Sequence, residues 1–202
     1  MTSSPQPVIL DTGFFERDPL LCAAELIGMD LVHGECRGRI IETEAYREIG
    51  DPACHLFTRP SAREFVRKHP AGTAYVYLNY GVHWLVNVLC HDLSTETSGF
   101  VLFRALEAIA GIDIMIQRRG TEEQRKLCSG PGRLTAALDI GRRHHGLSLT
   151  SDPDFCLQVP GGQESYRIVS DRRIGISAAK DHLWRFLAGD HPGVSVPAGR
   201  AR

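Results

Sequence analysis

Apolar residues recur at two spacings along this 202-residue chain, and the spacing predicts a different element for each stretch. Leu20, Ala24 and Ile27 follow at helical intervals behind Asp18-Pro19, a capping side chain and a proline suited to a first helical turn. Gly28 stops that run. Residues 29–33 and 38–45 read as strands, with a hairpin turn at Gly34-Glu35-Cys36-Arg37. Residues 73–78 and 83–89 form a second hairpin pattern around Asn79-Tyr80-Gly81. A further strand is predicted over 101–105. Ile109, Ile112 and Ile116 then predict a helix over 106–119. Ser129-Gly130-Pro131 opens another helix over 132–138, with Ser129 as its cap, and short strands are expected near 147–150, 155–159, 167–175 and 184–187.

Two stretches break the pattern. Residues 47–72 are rich in Pro, Gly and charge and read as irregular, with a short helix at 62–68; so long an irregular stretch in a compact domain points to function. The Gly/Pro-rich tail from residue 189 reads as partly loose. Short sequential strands with helices irregularly between them predict an α+β domain. Its sheet is expected to be curved and largely antiparallel, flanked by helices, in one domain over 8–190 with flexible ends at 1–7 and 191–202.

Composition narrows the class. Hydrophobic residues are 43% and charged residues 23%, which fits a soluble globular chain. No apolar run approaches the ~20 residues of a membrane span. Residues 1–7 lack a signal-peptide layout, so a cytoplasmic location is expected, or a nuclear one in a eukaryote. The six cysteines are scattered without a CxxC pair, so buried thiols are expected rather than a disulfide framework. A net charge of −1 speaks against a nucleic-acid partner, but the basic residues cluster. Arg59, Arg63, Arg67 and Lys68 form one group; Arg118, Arg119, Arg125, Lys126 and Arg133 form a second, followed by Arg142 and Arg143. One positive face, or ordinary solvated charge, fits this distribution equally well.

Four features carry candidate chemistry. Glu42 and Glu44 share one strand face with Ile40 and Tyr46. A carboxylate against an aromatic wall is partly desolvated and suited to act as a base, although paired carboxylates on an edge strand are more often solvated. Tyr75 and Tyr77 share a face, as core tyrosines commonly do, while Tyr80 at a turn tip suits wedging into a base stack. Arg104 interrupts the apolar run 101–106 and requires a rich acceptor, such as Glu42 or Glu44, or an exposed edge position. Cys54-His55 and Cys90-His91 do not match zinc spacings, and no metal is expected. Cys128, at a helix start, sits where thiolates are favoured, but an anion-binding helix start that holds a DNA phosphate is the better reading there.

Ordered along the chain, Leu26-Ile27-Gly28, Gly38-Arg39-Ile40-Ile41-Glu42-Thr43-Glu44-Ala45-Tyr46, Asp51-Pro52-Ala53-Cys54-His55, Tyr75-Val76-Tyr77, Tyr80-Gly81, Asn87-Val88, Leu102-Phe103-Arg104-Ala105-Leu106-Glu107 and Leu127-Cys128-Ser129-Gly130-Pro131 resemble the alkyladenine (3-methyladenine) DNA glycosylase family of single-domain type. The resemblance covers about residues 10–190. It implies a monomeric base-excision repair enzyme that hydrolyses the N-glycosidic bond of damaged purines in double-stranded DNA, leaves an abasic site, and uses no metal or cofactor. It implies Glu44 as the base that activates water, Arg104 as the residue positioning that water, and Tyr46, His55 and Tyr77 as the pocket for a flipped base. Asn87 is implied as a screen against the amine of normal guanine, and Tyr80 as the wedge. The segment 58–66 departs from the family pattern, with Glu64 where an Asn is usual. A catalytically inactive damaged-DNA-binding protein of the same fold is the main alternative; the presence of Glu44, Tyr46, Tyr77, Tyr80 and Arg104 together speaks against it. A metal-dependent hydrolase built on the Cys-His pairs is a more distant one.

Overall fold

The structure is a computed structural model describing residues 7–162 and 165–201; the expected loose ends at 1–6 and 202 lie outside the described residues. Among the described residues nine strands and six α-helices form an α+β domain with a largely antiparallel sheet. Strand β1 (Val8–Ile9) leads to helix α1 (Pro19–Glu25), which starts as its sequence dictates: the Asp18 side chain accepts from Leu20 N at 2.8 Å and Pro19 occupies the first turn. Strands β2 (Asp30–His33) and β3 (Cys36–Arg47) pair through His33 and Cys36, so the turn is the two residues Gly34-Glu35, tighter than the four expected.

Strand β3 is the spine of the sheet. One edge pairs with β6 (Thr97–Ala110) along nearly its whole length. Its other edge is shared, first by β2 and then, at Glu42–Glu44, by β9 (Arg185–Ala188). The expectation of solvated carboxylates on an edge strand therefore fails, because both edges of β3 are paired and Glu42 and Glu44 are fully buried. Strands β5 (His83–Asp92) and β4 (Ala74–Asn79) extend the sheet beyond β6, β7 (Phe155–Val159) lies between β1 and β2, and β8 (Ile168–Asp171) pairs with β9.

The helix expected over 106–119 is half strand. Residues 106–110 finish β6 against Arg37–Ile40, and Gly111, at φ 68°, turns the chain into α4 (Ile112–Arg119). Ladder pairing with β3 overrides the local helical spacing. The 47–72 stretch holds two helices, α2 (His55–Thr58) and α3 (Pro60–Lys68), and α5 (Gln124–Leu127) is a further short turn that lacks a periodic signal. Helix α6 (Pro131–Leu138) is capped at Gly130 rather than Ser129, whose hydroxyl instead accepts from Arg133. The strand expected at 147–150 contributes only a bridge between Thr73 and Ser148.

All six cysteines are free and buried among the described residues. Burial pushes the Cys128 thiol up to about 12, so its place before α6 does not make it a thiolate. The tail read as loose is held by hydrogen bonds: Ser195 N donates to Glu42 at 2.6 Å, Val196 O accepts from Arg185 at 2.8 Å and Gly199 N donates to Asp171 at 2.9 Å. No helix among the described residues is long and apolar enough to cross a membrane.

Gly99 in β6 marks the tightest approach beside the spine. A Cβ there would lie 2.3 Å from the Tyr46 carbonyl oxygen and 2.7 Å from a Pro19 carbon. Neither the backbone carbonyl nor the rigid proline ring can yield cheaply, so Gly99→Ala is expected to destabilise the fold by about 1–3 kcal/mol. A urea midpoint equal to that of the parent chain would contradict this contact.

Candidate active site

Alternation along β3 puts Glu42, Glu44 and Tyr46 on one face, and two register shifts against β6 flank Glu42. The second falls between Glu42, opposite Ala105, and Thr43, opposite Phe103, which leaves Arg104 out of the ladder. Such a bulge re-aims a side chain. Here it turns Arg104 toward both carboxylates, with Nε 3.0 Å from Glu42 Oε1 and Nη1 3.3 Å from Glu44 Oε2.

The carboxylates differ in how much of their hydrogen-bonding capacity is spent. Glu42 accepts from Arg104 Nε, from Arg185 Nη1 at 3.0 Å, from Ser195 Oγ at 2.8 Å and from Ser195 N. Three of these donors converge on Oε1 and one reaches Oε2, as many donors as a carboxylate has acceptor sites, roughly four. Glu44 accepts from Ile174 N at 2.7 Å and from Tyr46 Oη at 2.8 Å, and it is ion-paired with Arg104. Of the two carboxylates, Glu44 is the one with more acceptor capacity unspent. Burial and the charge of Glu44 push the Tyr46 phenol well up, which keeps it a donor.

Above Glu44 opens a cleft of about 550 Å³, lined among others by Tyr46, His55, Tyr77, Tyr80, Asn87 and Arg104. Glu44 itself is not among the lining residues and lies behind Tyr46, Ile174 and Arg104, the three that contact it. The fold thus brings together every site residue named from sequence. The His55 and Tyr77 rings meet edge to face at 4.5 Å, and His55 Nδ1 lies 3.2 Å from Tyr75 Oη. Burial pushes His55 down to about 4, with Arg59 adding to the shift, so the imidazole is neutral at pH 7. Asn87 is buried opposite Tyr75 and donates to the Tyr75 carbonyl at 3.0 Å. Tyr80 sits at the tip of the β4–β5 turn, 89% exposed and at φ 49°. Positive φ at both Tyr80 and Gly81, with Val82 N bonded to Asn79 O, makes this a type I′ turn that projects the ring outward.

Several supporting residues had no signal in the sequence. Arg173 pairs bidentately with Asp51 at 2.6 and 2.7 Å, donates to the Ala45 carbonyl, and lies 4.6 Å over the Tyr46 ring. Arg185, fully buried, joins Glu42 to Asp171. These contacts span 14 to 143 residues of chain, and neither period nor spacing reveals them.

Of the basic groups, Arg59 reaches the cleft. Lys68, Arg125, Lys126 and Arg143 pair with nearby carboxylates, and Arg118 and Arg119 bond to backbone carbonyls. His91 uses both ring nitrogens, on Ser98 and on the His69 carbonyl, and no cluster of three metal-ligating groups occurs among the described residues.

A family model described as methylpurine-DNA glycosylase matches residues 13–192. The chain belongs to the methylpurine-DNA glycosylase family. Among its relatives, a protein of Agrobacterium fabrum is 44% identical over 86% of each chain. One from Chlorobaculum tepidum is 41% identical over 89% of this chain and 88% of its own. One from Methanoculleus marisnigri is 44% identical over 88% of this chain and 93% of its own. Each carries the name "Putative 3-methyladenine DNA glycosylase". The matched stretch of this glycosylase-family chain contains all the cleft residues named above and stops before Ser195, the residue that completes the shell around Glu42.

The half-buried His55 sets a pH dependence. Its folded value lies below the ordinary 6.5, so below pH 6.5 the unfolded chain binds the proton more readily. Stability is full above pH 6.5 and falls as pH drops toward 4. His144 and His145, also lowered by burial, add to the same slope. Urea midpoints between pH 7 and 4 are expected to fall, less steeply in His55→Gln; an unchanged slope in that variant would place the dependence elsewhere.

Proposed function

We propose that this chain excises damaged purines from double-stranded DNA by hydrolysing the N-glycosidic bond. The observation that carries the reading is Glu44, a buried carboxylate held by two donors and the Arg104 ion pair beneath an aromatic-walled cleft whose rim bears the exposed Tyr80. A base stacked within a duplex cannot reach such a floor, so the nucleotide has to be flipped, at a cost of a few kcal/mol. Tyr80 fills the gap left in the stack. The base enters between Tyr46 and Tyr77, with His55 at its edge, and Asn87 screens out bases carrying the wrong exocyclic group.

Glu44 takes the proton of a water whose oxygen bonds to the sugar C1′, while the electron pair of the broken bond leaves with the base. Arg104 is bound to Glu42 through Nε and to Glu44 through Nη1, and this fixes where that water sits. Among the described residues no lysine lines the cleft, so the reading is a monofunctional enzyme without an amine nucleophile, leaving an abasic site.

Glu44→Gln keeps the shape of the floor and removes the base. Excision from duplexes containing a single hypoxanthine or 3-methyladenine, read as alkali-labile strand breaks, is expected to fall by at least ~100-fold. Binding to an abasic duplex should persist; retained excision would remove Glu44 from the role. Tyr80→Ala is expected to slow excision from duplex about tenfold or more while sparing a single-stranded substrate, in line with the loss of a stacking contact. Equal effects on both substrates would refute the wedge.

A further inference from the structure

Two polar partners of Arg104, Glu42 and Glu44, lie on β3; a third comes from the C-terminal tail. After β9 the chain turns at His191, whose Nδ1 accepts from Gly193 N at 3.1 Å. Gly193 is buried at a close approach, where a Cβ would lie 2.9 Å from Ile41 Cδ1. Val194 packs against the core, Val196 O accepts from Arg185 and Gly199 N donates to Asp171. The segment 193–199 is therefore a strap held at both ends, and Ser195 lies between the two attachments. Its amide and its hydroxyl take the two oxygens of Glu42, at 2.6 and 2.8 Å. With its proton spent on Glu42, the hydroxyl has lone pairs left, and it accepts from Arg104 Nη2 at 3.3 Å. Arg104 lines the cleft, whereas Ser195 lies outside that lining.

We infer that Ser195 is a positioning residue of the excision reaction, acting through Arg104. The inference rests on the excision reading and deepens it. The 3.0 Å bond from Nε to Glu42 holds the guanidinium at one point, about which the planar fork can still swing. One contact on each terminal nitrogen opposes that swing, Glu44 on Nη1 and Ser195 on Nη2, both at 3.3 Å. A rigid fork held at all three nitrogens has a single orientation. Of the five N–H donors of an arginine, these contacts engage three, and the fork's orientation sets where the other two point. Removing the Ser195 hydroxyl releases the Nη2 end while the bond to Glu42 and the charge stay, so Arg104 keeps its ion pairs and loses its aim. Misplacement by about an ångström is enough to slow a reaction by up to about 100-fold. A hydroxyl outside the cleft lining touches no substrate, so its loss acts on rate and not on DNA affinity.

The test is single-turnover excision from a duplex holding one hypoxanthine or 3-methyladenine, with affinity for an abasic duplex and the urea midpoint measured alongside. Ser195→Ala keeps the amide on Glu42 and removes the hydroxyl. It is expected to slow excision about tenfold and to leave abasic-duplex affinity unchanged. Ser195→Thr, which keeps a hydroxyl, is expected to recover most of the rate. Arg104→Lys keeps the charge but has no second terminal nitrogen, so it is slow by itself and Ser195→Ala should slow it no further. A parental rate in Ser195→Ala would overturn the inference. So would the same tenfold loss in both backgrounds, because Ser195 would then not act through Arg104. A loss that follows a lowered urea midpoint and that Ser195→Thr leaves unrescued would make Ser195 a structural prop, and would overturn it too. A parent protein that excises neither lesion would overturn the excision reading, and the positioning role with it.

Discussion

Two carboxylates two residues apart on a buried strand repel each other and lose their hydration, so both stay charged only if cations are buried with them. Arg104 supplies that condition here. It reaches Glu42 and Glu44 at once because the bulge in β6 takes it out of the ladder. Removing one partner of such a pair typically costs about 3–5 kcal/mol, because the charges left behind remain buried. The site and the fold therefore share one interaction: the guanidinium that neutralises the sheet's interior is also the one facing the cleft.

The rest of the polar interior is arranged around this contact. Arg185 and Ser195 supply the other donors to Glu42, so more of its acceptor capacity is spent than that of Glu44. Arg173 does the corresponding work at the other end of the strand. It ties the Ala45 carbonyl to Asp51, and Asp51 in turn accepts from Ala53 N in the turn that leads to His55. The next residue after Arg173, Ile174, gives its amide to Glu44. A floor built from β3, β6 and two distant C-terminal segments is preorganised before any substrate arrives, the condition under which fixed donors contribute most to catalysis.

The cleft walls follow the same logic at lower cost. Tyr75 and Phe100 stack at 4.5 Å, and Phe65 of α3 packs against Tyr75 at 5.1 Å, so the helices of the 47–72 stretch hold the aromatic layer from outside. This stretch read as irregular because its helices are four and nine residues long and short of full apolar periods. Tertiary contact with the Tyr75 layer, rather than propensity, stabilises helices of that length.

Much of this was legible along the chain. The cap at Asp18, the hairpin at Tyr80-Gly81 and the alternation of Glu42, Glu44 and Tyr46 are local, encoded within a few residues by hydrogen-bonding capacity, φ preference and strand period. The ordered motifs named the cleft residues. Only the tertiary structure decided that β3 is a spine rather than an edge, that residues 106–110 extend a strand, and that a Gly/Pro-rich tail closes on Glu42. It alone distinguished the carboxylate with four donors from the one with two, and joined Arg173 to Asp51. Those outcomes depend on which distant groups share a buried volume, and charge pairing across more than a hundred residues leaves no periodicity for a sequence to show.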